Sequence, residues 1–243
     1  MWQVSTLLAA AVIILIASTV HAVTGFGYAL VATPLLALTV DPHTAVVATT
    51  LSALAMTVTI AVRQRHHAEW KVAMIATAGI VVGMPLGLWV YAVTSERVLT
   101  ALIGVGVLGC TVMVWRGVKV PGNVPVLVGA GLISGTLSTS TGTNGPPMVA
   151  AFQGMGYDPH KFRATLAAVF AGTSVLSLIG FAAAGQVNTQ SLWIGLVGLP
   201  VVQLGWFAGN AVFSRINPER FRKVVLVSLL VSAAVTLFSA LNG

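Results

Sequence analysis

The feature that most constrains this sequence is a polar, proline-containing interruption in an otherwise apolar chain. The segment from Ser134 to Arg163 contains a run of small hydroxylated residues, then glycines, then Pro146-Pro147. A continuous helix does not pass through this pair, because each proline lacks an N–H and restricts the residue before it. Inside a bilayer, irregular backbone persists only where protein buries it or where it lines a watered cavity. The segment therefore predicts two half-helices meeting at a polar break, as in many transporter binding sites.

Composition indicates an integral membrane protein. Of the 243 residues, 57% are hydrophobic and only 7% are charged, far from the balance of a soluble domain. The net charge of +7 comes from residues at the ends of hydrophobic segments, where they set topology and contact lipid headgroups. Because there is no basic face, we expect no nucleic-acid partner. No Lys or Arg precedes the N-terminal apolar run, so we interpret it as mature protein and not as a signal peptide.

Ten hydrophobic stretches predict an all-α membrane fold. They fall at about 4–23, 28–39, 44–62, 70–92, 97–115, 124–139, 146–156, 162–184, 189–213 and 221–241. Most reach the roughly 20 residues that a crossing helix needs. The second and seventh stretches are too short to cross, and each directly follows a glycine-rich segment. We call these segments the first break, around Gly25 to Gly27, and the second break, around Gly142 to Pro147.

An internal repeat relates the two breaks. A shift of 117 residues superposes Thr-Gly at position 24 on Thr-Gly at 141, and Asp-Pro-His at 41 on Asp-Pro-His at 158. A slightly different shift pairs Gly87 with Gly205 more weakly. The pattern predicts a first repeat at 1–119 and a second at 120–243. Each would comprise a broken hairpin, at about 4–39 or 124–156, and three transmembrane helices.

The distribution of basic residues predicts that the repeats are inverted. If each broken hairpin enters and leaves on one side and the 63–71 loop is cytoplasmic, eleven of the 12 Lys and Arg residues lie inside and only Arg97 lies outside. The rival topology, in which 124–156 makes one kinked crossing, sends Lys161 and the basic residues after it outside. The positive-inside rule favours the first topology. Three crossings per half then invert the second half relative to the first and leave both termini outside.

Several motifs resemble one family. They are Gly25-Phe26-Gly27, Pro34, Gly131, Gly135, Gly142, Gly145-Pro146-Pro147 and Phe162-Arg163-Ala164-Thr165. Together they resemble the TauE/SafE family of bacterial membrane proteins, which are associated with export of sulfite and small organosulfonates. The resemblance covers essentially the whole chain, and the first half departs from it in having a shorter glycine run. It implies a multi-pass transporter of the bacterial cytoplasmic (inner) membrane.

The chemistry of the breaks agrees with an anionic substrate. Half-helices that begin near Tyr28 and near Asn144 or Gly145 would direct unpaired N–H groups and positive dipole ends into the membrane centre. Two facing helix N-termini can hold an anion without any full charge. The expected substrate-binding residues are Thr24, Gly25, Gly27, Ser138, Thr139, Thr141, Gly142, Thr143, Asn144 and Gly145. The alternative is that the hydroxyls bond to helix carbonyls and the glycines only allow close packing.

Two further residues are candidates for a proton-linked or gating role. His21 is the only histidine within a predicted span, and Arg163 lies near the cytoplasmic mouth. The alternatives are a neutral histidine bonded to a carbonyl and an ordinary positive-inside anchor. All five acidic residues fall in or beside predicted loops, which disfavours a cation pump. We expect no metal, no cofactor and no enzymatic activity, because no catalytic pair lies at membrane depth and His66-His67 fits a solvated basic cluster.

The residues thus predict an anion transporter that works by alternating access, and the family resemblance implies that it exports small sulfur-containing anions, sulfite or organosulfonates such as sulfoacetate. An anion channel, or a carrier for another small organic anion, remains open as an alternative. The expected partners are the anion and membrane lipid. A homodimer also remains open, because the glycine-rich face of Gly104, Gly106 and Gly109 could pack within one protomer or between two.

Overall fold

A computed structural model describes residues 4–24, 26–116, 121–157, 159–213 and 234. Over this part of the chain the protein is entirely helical and contains no strand. The helices are α1 (Val4–Thr24), α2 (Tyr28–Leu36), α3 (Pro42–Arg63), α4 (Trp70–Val93), α5 (Glu96–Arg116), α6 (Val124–Ser140), α7 (Gly145–Gln153), α8 (Pro159–Ala183) and α9 (Thr189–Phe213). The predicted last stretch, at 221–241, lies outside the described residues. So do Gly25, Asp158 and the basic residues from 215 to 223.

Five of these helices are long and apolar enough to cross a membrane. The candidate spans are Val4–Ala22, Pro42–Arg63, Trp70–Val93, His160–Ala183 and Thr189–Gly209. The predicted class, an all-α integral membrane protein, is confirmed. The helices α2 and α7 have 9 residues each and rise only about 13 Å at 1.5 Å per residue, so they end inside the protein.

Polar caps fix where the helices begin. The Asp41 carboxylate accepts a hydrogen bond from the Thr44 N–H at 2.8 Å, and Pro42 occupies the first turn of α3. Asn123 caps α6 in the same way through the Val126 N–H at 3.0 Å. An acceptor side chain at this position satisfies one of the N–H groups that a helix start leaves unpaired.

The second broken element is a hairpin that returns to its starting end. The Ser134 hydroxyl in α6 donates to the Asn144 carbonyl at 2.9 Å, so the chain after α6 doubles back along that helix. At the other end, a Cβ on Gly122 would lie 2.9 Å from the Met155 Cα. The chain therefore enters α6 and leaves α7 at neighbouring positions.

The two most extensive helix contacts join helices that are distant in sequence, α4 with α6 and α1 with α9. In the first pair, a Cβ on Gly83 would collide with the Leu132 carbonyl, and one on Gly79 would lie 2.7 Å from the Val128 carbonyl oxygen. Residues further along α4 meet residues further along α6, so the two helices run parallel. Glycine allows the two backbones to touch, as is common between membrane helices.

The contact between α1 and α9 is built in the same way. A Cβ on Gly205 would lie 2.9 Å from the Leu15 carbonyl oxygen, and one on Gly209 would lie 2.7 Å from that of Thr19. These helices also run parallel. Each half of the chain therefore packs its first helix against the other half.

Basic segments from both halves lie at one end of the molecule. Lys161 at the start of α8 forms an ion pair with Glu69 in the α3–α4 loop, and the Arg63 guanidinium lies 5.2 Å from the centre of the Trp206 ring. The opposite end brings together the starts of α3 and α9, where the Asn188 carboxamide donates to the Thr44 hydroxyl at 2.6 Å. The helices thus connect two chemically different ends.

Candidate functional site

The two breaks adopt backbone conformations that favour glycine. In the first half α1 ends at Thr24 and α2 begins at Tyr28, and in the second half α6 ends at Ser140 and α7 begins at Gly145. The backbone φ is 98° at Gly27 and 72° at Gly142. Positive φ costs little only without a Cβ. The breaks contact opposite halves: a Cβ on Gly145 would lie 3.7 Å from the Phe26 ring, and one on Gly142 would lie 3.0 Å from the Thr33 hydroxyl.

A cavity lies between the breaks. Its lining comes from both halves and consists of His21, Gly27, Tyr28, Ala29, Leu30, Thr49, Thr50, Ala53, Thr57, Ser138, Gly142, Thr143, Asn144, Gly145, Phe170 and Ser174. The volume open to the centres of water molecules is about 40 Å³, enough for about three waters or a compact anion. Among the described residues, no Asp, Glu, Lys or Arg lines it.

The backbone gives the two breaks different donor capacity. Helix geometry leaves the N–H groups of Tyr28, Ala29 and Leu30 without an intrahelical acceptor, and the first such bond in α2 runs from Val31 to Gly27 at 3.3 Å. In α7, positions 146 and 147 are prolines and have no N–H to offer. The first turn of α2 is therefore the richer source of backbone donors.

Six of the ten residues expected to bind substrate line the cavity, namely Gly27, Ser138, Gly142, Thr143, Asn144 and Gly145. Two others face elsewhere. The Thr139 hydroxyl donates to the Met84 carbonyl at 2.9 Å, within the α4–α6 contact. The Thr141 hydroxyl lies 3.0 Å from the Leu137 carbonyl oxygen and 2.7 Å from the hydroxyl of Thr143, so it contacts the cavity only through that residue. Gly25 and the side chain of Thr24 lie outside the described residues.

Asn144 occupies the N-terminal cap position of α7, but its side chain accepts no capping hydrogen bond. Its carbonyl is held by Ser134, which fixes the backbone and leaves the carboxamide beside the cavity. Ser138, by contrast, has a partner, since its Oγ lies 3.1 Å from the Ser177 Oγ. Asn144 is therefore the more available of these two side chains.

His21 and Arg163 have different environments. His21 lines the cavity and is buried, and its Nδ1 has no hydrogen-bond partner among the described residues. The Arg163 guanidinium does not line the cavity. It donates through Nη2 to the Ala22 carbonyl at 2.9 Å, where a cation at the C-terminal turn of α1 is stabilised by the helix dipole. Arg163 thus links the start of α8 to the end of α1.

Comparison with known proteins assigns the family. A family profile described as "Sulfite exporter TauE/SafE" matches residues 10–236. The chain belongs to the TauE/SafE family. The resemblance inferred from the sequence motifs is confirmed, and the family identifies the chain as a transmembrane transporter.

One curated relative of this TauE/SafE protein comes from Cupriavidus necator and is named a probable sulfite/organosulfonate exporter TauE. It is 24% identical over 185 residues, which cover 73% of this chain and 72% of the relative. No solved structure shows a significant match to the chain.

Sequence reasoning missed cavity-lining hydroxyls of this TauE/SafE protein that lie deeper within unbroken helices. Thr50 and Thr57 come from α3, and Ser174 comes from α8. No local break marks them. For Thr57 and Ser174 the internal repeat is a signal that could have found them, because the shift of 117 residues that relates the breaks also places Thr57 on Ser174.

Proposed function

We propose that this protein exports small sulfur-containing anions, sulfite or organosulfonates such as sulfoacetate, across the bacterial cytoplasmic membrane. The observation that carries the proposal is the uncharged, donor-lined cavity at the junction of the two breaks. Backbone N–H groups at a helix N-terminus bind anions without a formal charge. The name of the Cupriavidus necator relative supports the choice of a sulfur anion.

Alternating access of two inverted repeats, at 1–119 and 120–243, is the mechanism we propose. It is supported by equivalent packing in the two halves. Leu132 contacts Gly83 and Leu15 contacts Gly205, and the shift of 117 residues superposes Leu15 on Leu132. In each half, a glycine-containing helix thus receives the first helix of the other half. This equivalence is expected for repeats related by a pseudo-two-fold axis.

The same packing revises one detail of the repeat alignment. Gly87 meets the carbonyl of Thr136, and Gly209 meets that of Thr19. Since Thr19 and Thr136 are equivalent under the shift, packing pairs Gly87 with Gly209 and not with Gly205. The chain between the first helix of a repeat and the glycines of this contact is therefore slightly longer in the second repeat than in the first.

The cavity lining is consistent with a site on this pseudo-symmetry axis. The shift pairs His21 with Ser138, Gly27 with Asn144 and Thr57 with Ser174, and all of these residues line the cavity. In inverted-repeat transporters the substrate lies at the repeat interface. Rocking one half against the other would then expose the anion to either side.

We assign the cytoplasmic side to the end that holds the 63–71 loop. The ion pair between Glu69 and Lys161 supports a common side for this loop and the start of α8. Gly122 lies beside Met155, just after α7, which supports the same side for the start of α6. This orientation satisfies the positive-inside rule.

The test is counterflow of labelled sulfite into liposomes that contain the purified protein. Sulfoacetate, sulfate and acetate serve as competitors, with and without a pH gradient. We expect saturable, exchange-stimulated uptake that the sulfur anions inhibit more strongly than acetate. Asn144→Ala should reduce uptake about tenfold, the effect of one lost hydrogen bond to a charged ligand.

Ser140→Ala is the comparison variant, because that hydroxyl donates to the Thr136 carbonyl of its own helix at 2.7 Å and does not line the cavity, so its uptake should fall less. Thermal unfolding in detergent checks that both variants are folded. Flux that neither saturates nor responds to exchange would indicate an anion channel. No movement of any sulfur anion by folded protein would overturn the proposal.

A further inference from the structure

One hydroxyl in the cavity differs from its neighbours. Thr49 Oγ1 is buried and has no hydrogen-bond partner among the described residues, while the side chain as a whole is 1% exposed. Thr50 and Thr57 line the same cavity, but their hydroxyls donate to the carbonyls of Val46 at 2.8 Å and Ala53 at 2.9 Å. A buried hydroxyl without a partner is costly, and ligand binding would remove that cost.

A second unpartnered group lines the same cavity. His21 is 3% exposed, and its Nδ1 has no partner within the described part of the chain. Thr49 and His21 both belong to the first half, as do the unpaired N–H groups at the start of α2. In the second half, Ser138 already bonds to Ser177, and the prolines at the start of α7 offer no N–H.

We propose that the oxygen atoms of the substrate anion bind mainly to the first half, at the N-terminus of α2, with Thr49 and His21 as side-chain ligands. The inference rests on the proposed function and specifies the site. The motif that makes the sequence recognisable, the Pro-Pro segment of the second half, then shapes the cavity more than it binds the anion. Asn144 remains a ligand from the opposite side.

The donor set defines the class of ligand. All the available groups are hydrogen-bond donors: the first turn of α2, the Thr49 hydroxyl and a His21 ring N–H. They match a ligand head group that has several acceptor oxygens and no positively charged donor. The small cavity volume and the Phe170 wall favour a compact head such as sulfite or the sulfonate of methanesulfonate. A bulky organic tail would have to leave the cavity between the halves.

The experiment compares adjacent threonines by the same substitution. Binding of sulfite and of methanesulfonate to the purified full-length protein is measured by calorimetry for the wild type, Thr49→Val and Thr50→Val. We expect the Kd of Thr49→Val to rise about 10- to 100-fold, since it loses a hydrogen bond to a charged ligand. For Thr50→Val we expect a change of less than about threefold, because its hydroxyl serves its own helix.

Unfolding gives a readout that separates ligand binding from a structural role. Thr49→Val replaces an unpaired buried hydroxyl by a methyl group of the same shape, so the Tm without ligand should stay the same or rise. A structural role for Thr49 would lower that Tm. The upward Tm shift caused by a given sulfite concentration in the wild type should be smaller in this variant, as its higher Kd requires.

Substitutions of His21 provide an independent test of the same inference. His21→Leu should weaken binding, while His21→Gln, which restores a donor, should recover part of it. This pair decides the matter if Thr49→Val does not fold. If Thr49→Val binds sulfite as well as the wild type does, the inference is overturned and the proposed function stays intact. If Thr49→Val does not fold, unchanged binding by His21→Leu has the same meaning. Failure of the wild type to bind either anion overturns both.

Discussion

At the scale of single residues, Gly142 shows how the second break depends on its backbone. Its φ is 72°, and a Cβ there would lie 3.0 Å from the Thr33 hydroxyl of α2. An L-residue pays about 1–2 kcal/mol in this left-handed region. Gly142 therefore combines a conformational requirement with a close contact between the halves.

Gly142→Ala should lower the free energy of unfolding by at least about 1–2 kcal/mol and reduce transport, because the backbone at the cavity would shift. Gly109→Ala is a matched control, since a Cβ on Gly109 in α5 meets nothing within 4 Å. Its stability should be unchanged or slightly higher, as alanine favours a helix. Equal Tm values for the two variants in detergent would contradict the account of Gly142.

The hydroxyl run of the second half illustrates how far sequence can predict the site. Residues 138 to 140 are still helical, and successive helical positions point about 100° apart. As a result Ser138 faces the cavity while Thr139 faces α4. The sequence located the breaks but could not tell where α6 ends, so it assigned one role to residues that face in different directions.

At the scale of helices, the contact between α4 and α6 depends on an absence of side chains. Gly83 of α4 sits against the Leu132 carbonyl, and Gly135 of α6 would place a Cβ in collision with the Ile80 carbonyl. Dispersion contacts, with no solvent-driven hydrophobic force between the helices, hold such a pair together in a bilayer. The pair is therefore sensitive to a single methyl group.

Gly83→Ala should destabilise the protein by about 1–3 kcal/mol, the usual cost of overpacking, even though alanine is the better helix former. The control is Gly129→Ala in α6, where a Cβ meets nothing within 4 Å. Tm values of the purified variants test the difference. A Gly83→Ala protein as stable as Gly129→Ala would show that the two helices can separate without loss.

The helical class could be predicted because membrane spans carry a strong compositional signal. The pairing of helices could not. A helix that is apolar on all sides does not mark which face meets another helix and which meets lipid. The glycines at 83 and 205 were visible in the sequence, but their partners at Leu132 and Leu15 became apparent only from the structure. The division into two inverted repeats stays a prediction.

At the scale of the whole molecule, the ion pair between Glu69 and Lys161 joins the two halves at the end we assign to the cytoplasm. The Thr165 hydroxyl strengthens this contact by accepting the Glu69 N–H at 3.0 Å. In the alternating access that we propose, opening of that end requires the contact to separate. An ion pair that is only partly buried contributes little stability, so it could break in each cycle of the proposed mechanism.

A reversible covalent link at this position should stop transport. In a background with Cys110→Ser, the double variant Glu69→Cys and Lys161→Cys is treated with a bifunctional reagent that forms disulfides with both thiols. We expect counterflow to be lost and then restored by a reductant. Each single cysteine variant, treated identically, controls for modification of the thiol alone. Normal counterflow by fully cross-linked protein would contradict alternating access at this end.

The exchange of first helices between the halves also sets an order of assembly during synthesis. When α6 emerges, its partner α4 is already made and can receive it at once. The first helix has no such partner, because Ile14 meets Gly198 only after most of the chain has been translated. At typical elongation rates α1 waits about 10–40 s in the membrane with only α2 beside it and its α9-facing side bare. A nascent chain of this protein should therefore complete the α4–α6 contact well before the α1–α9 contact.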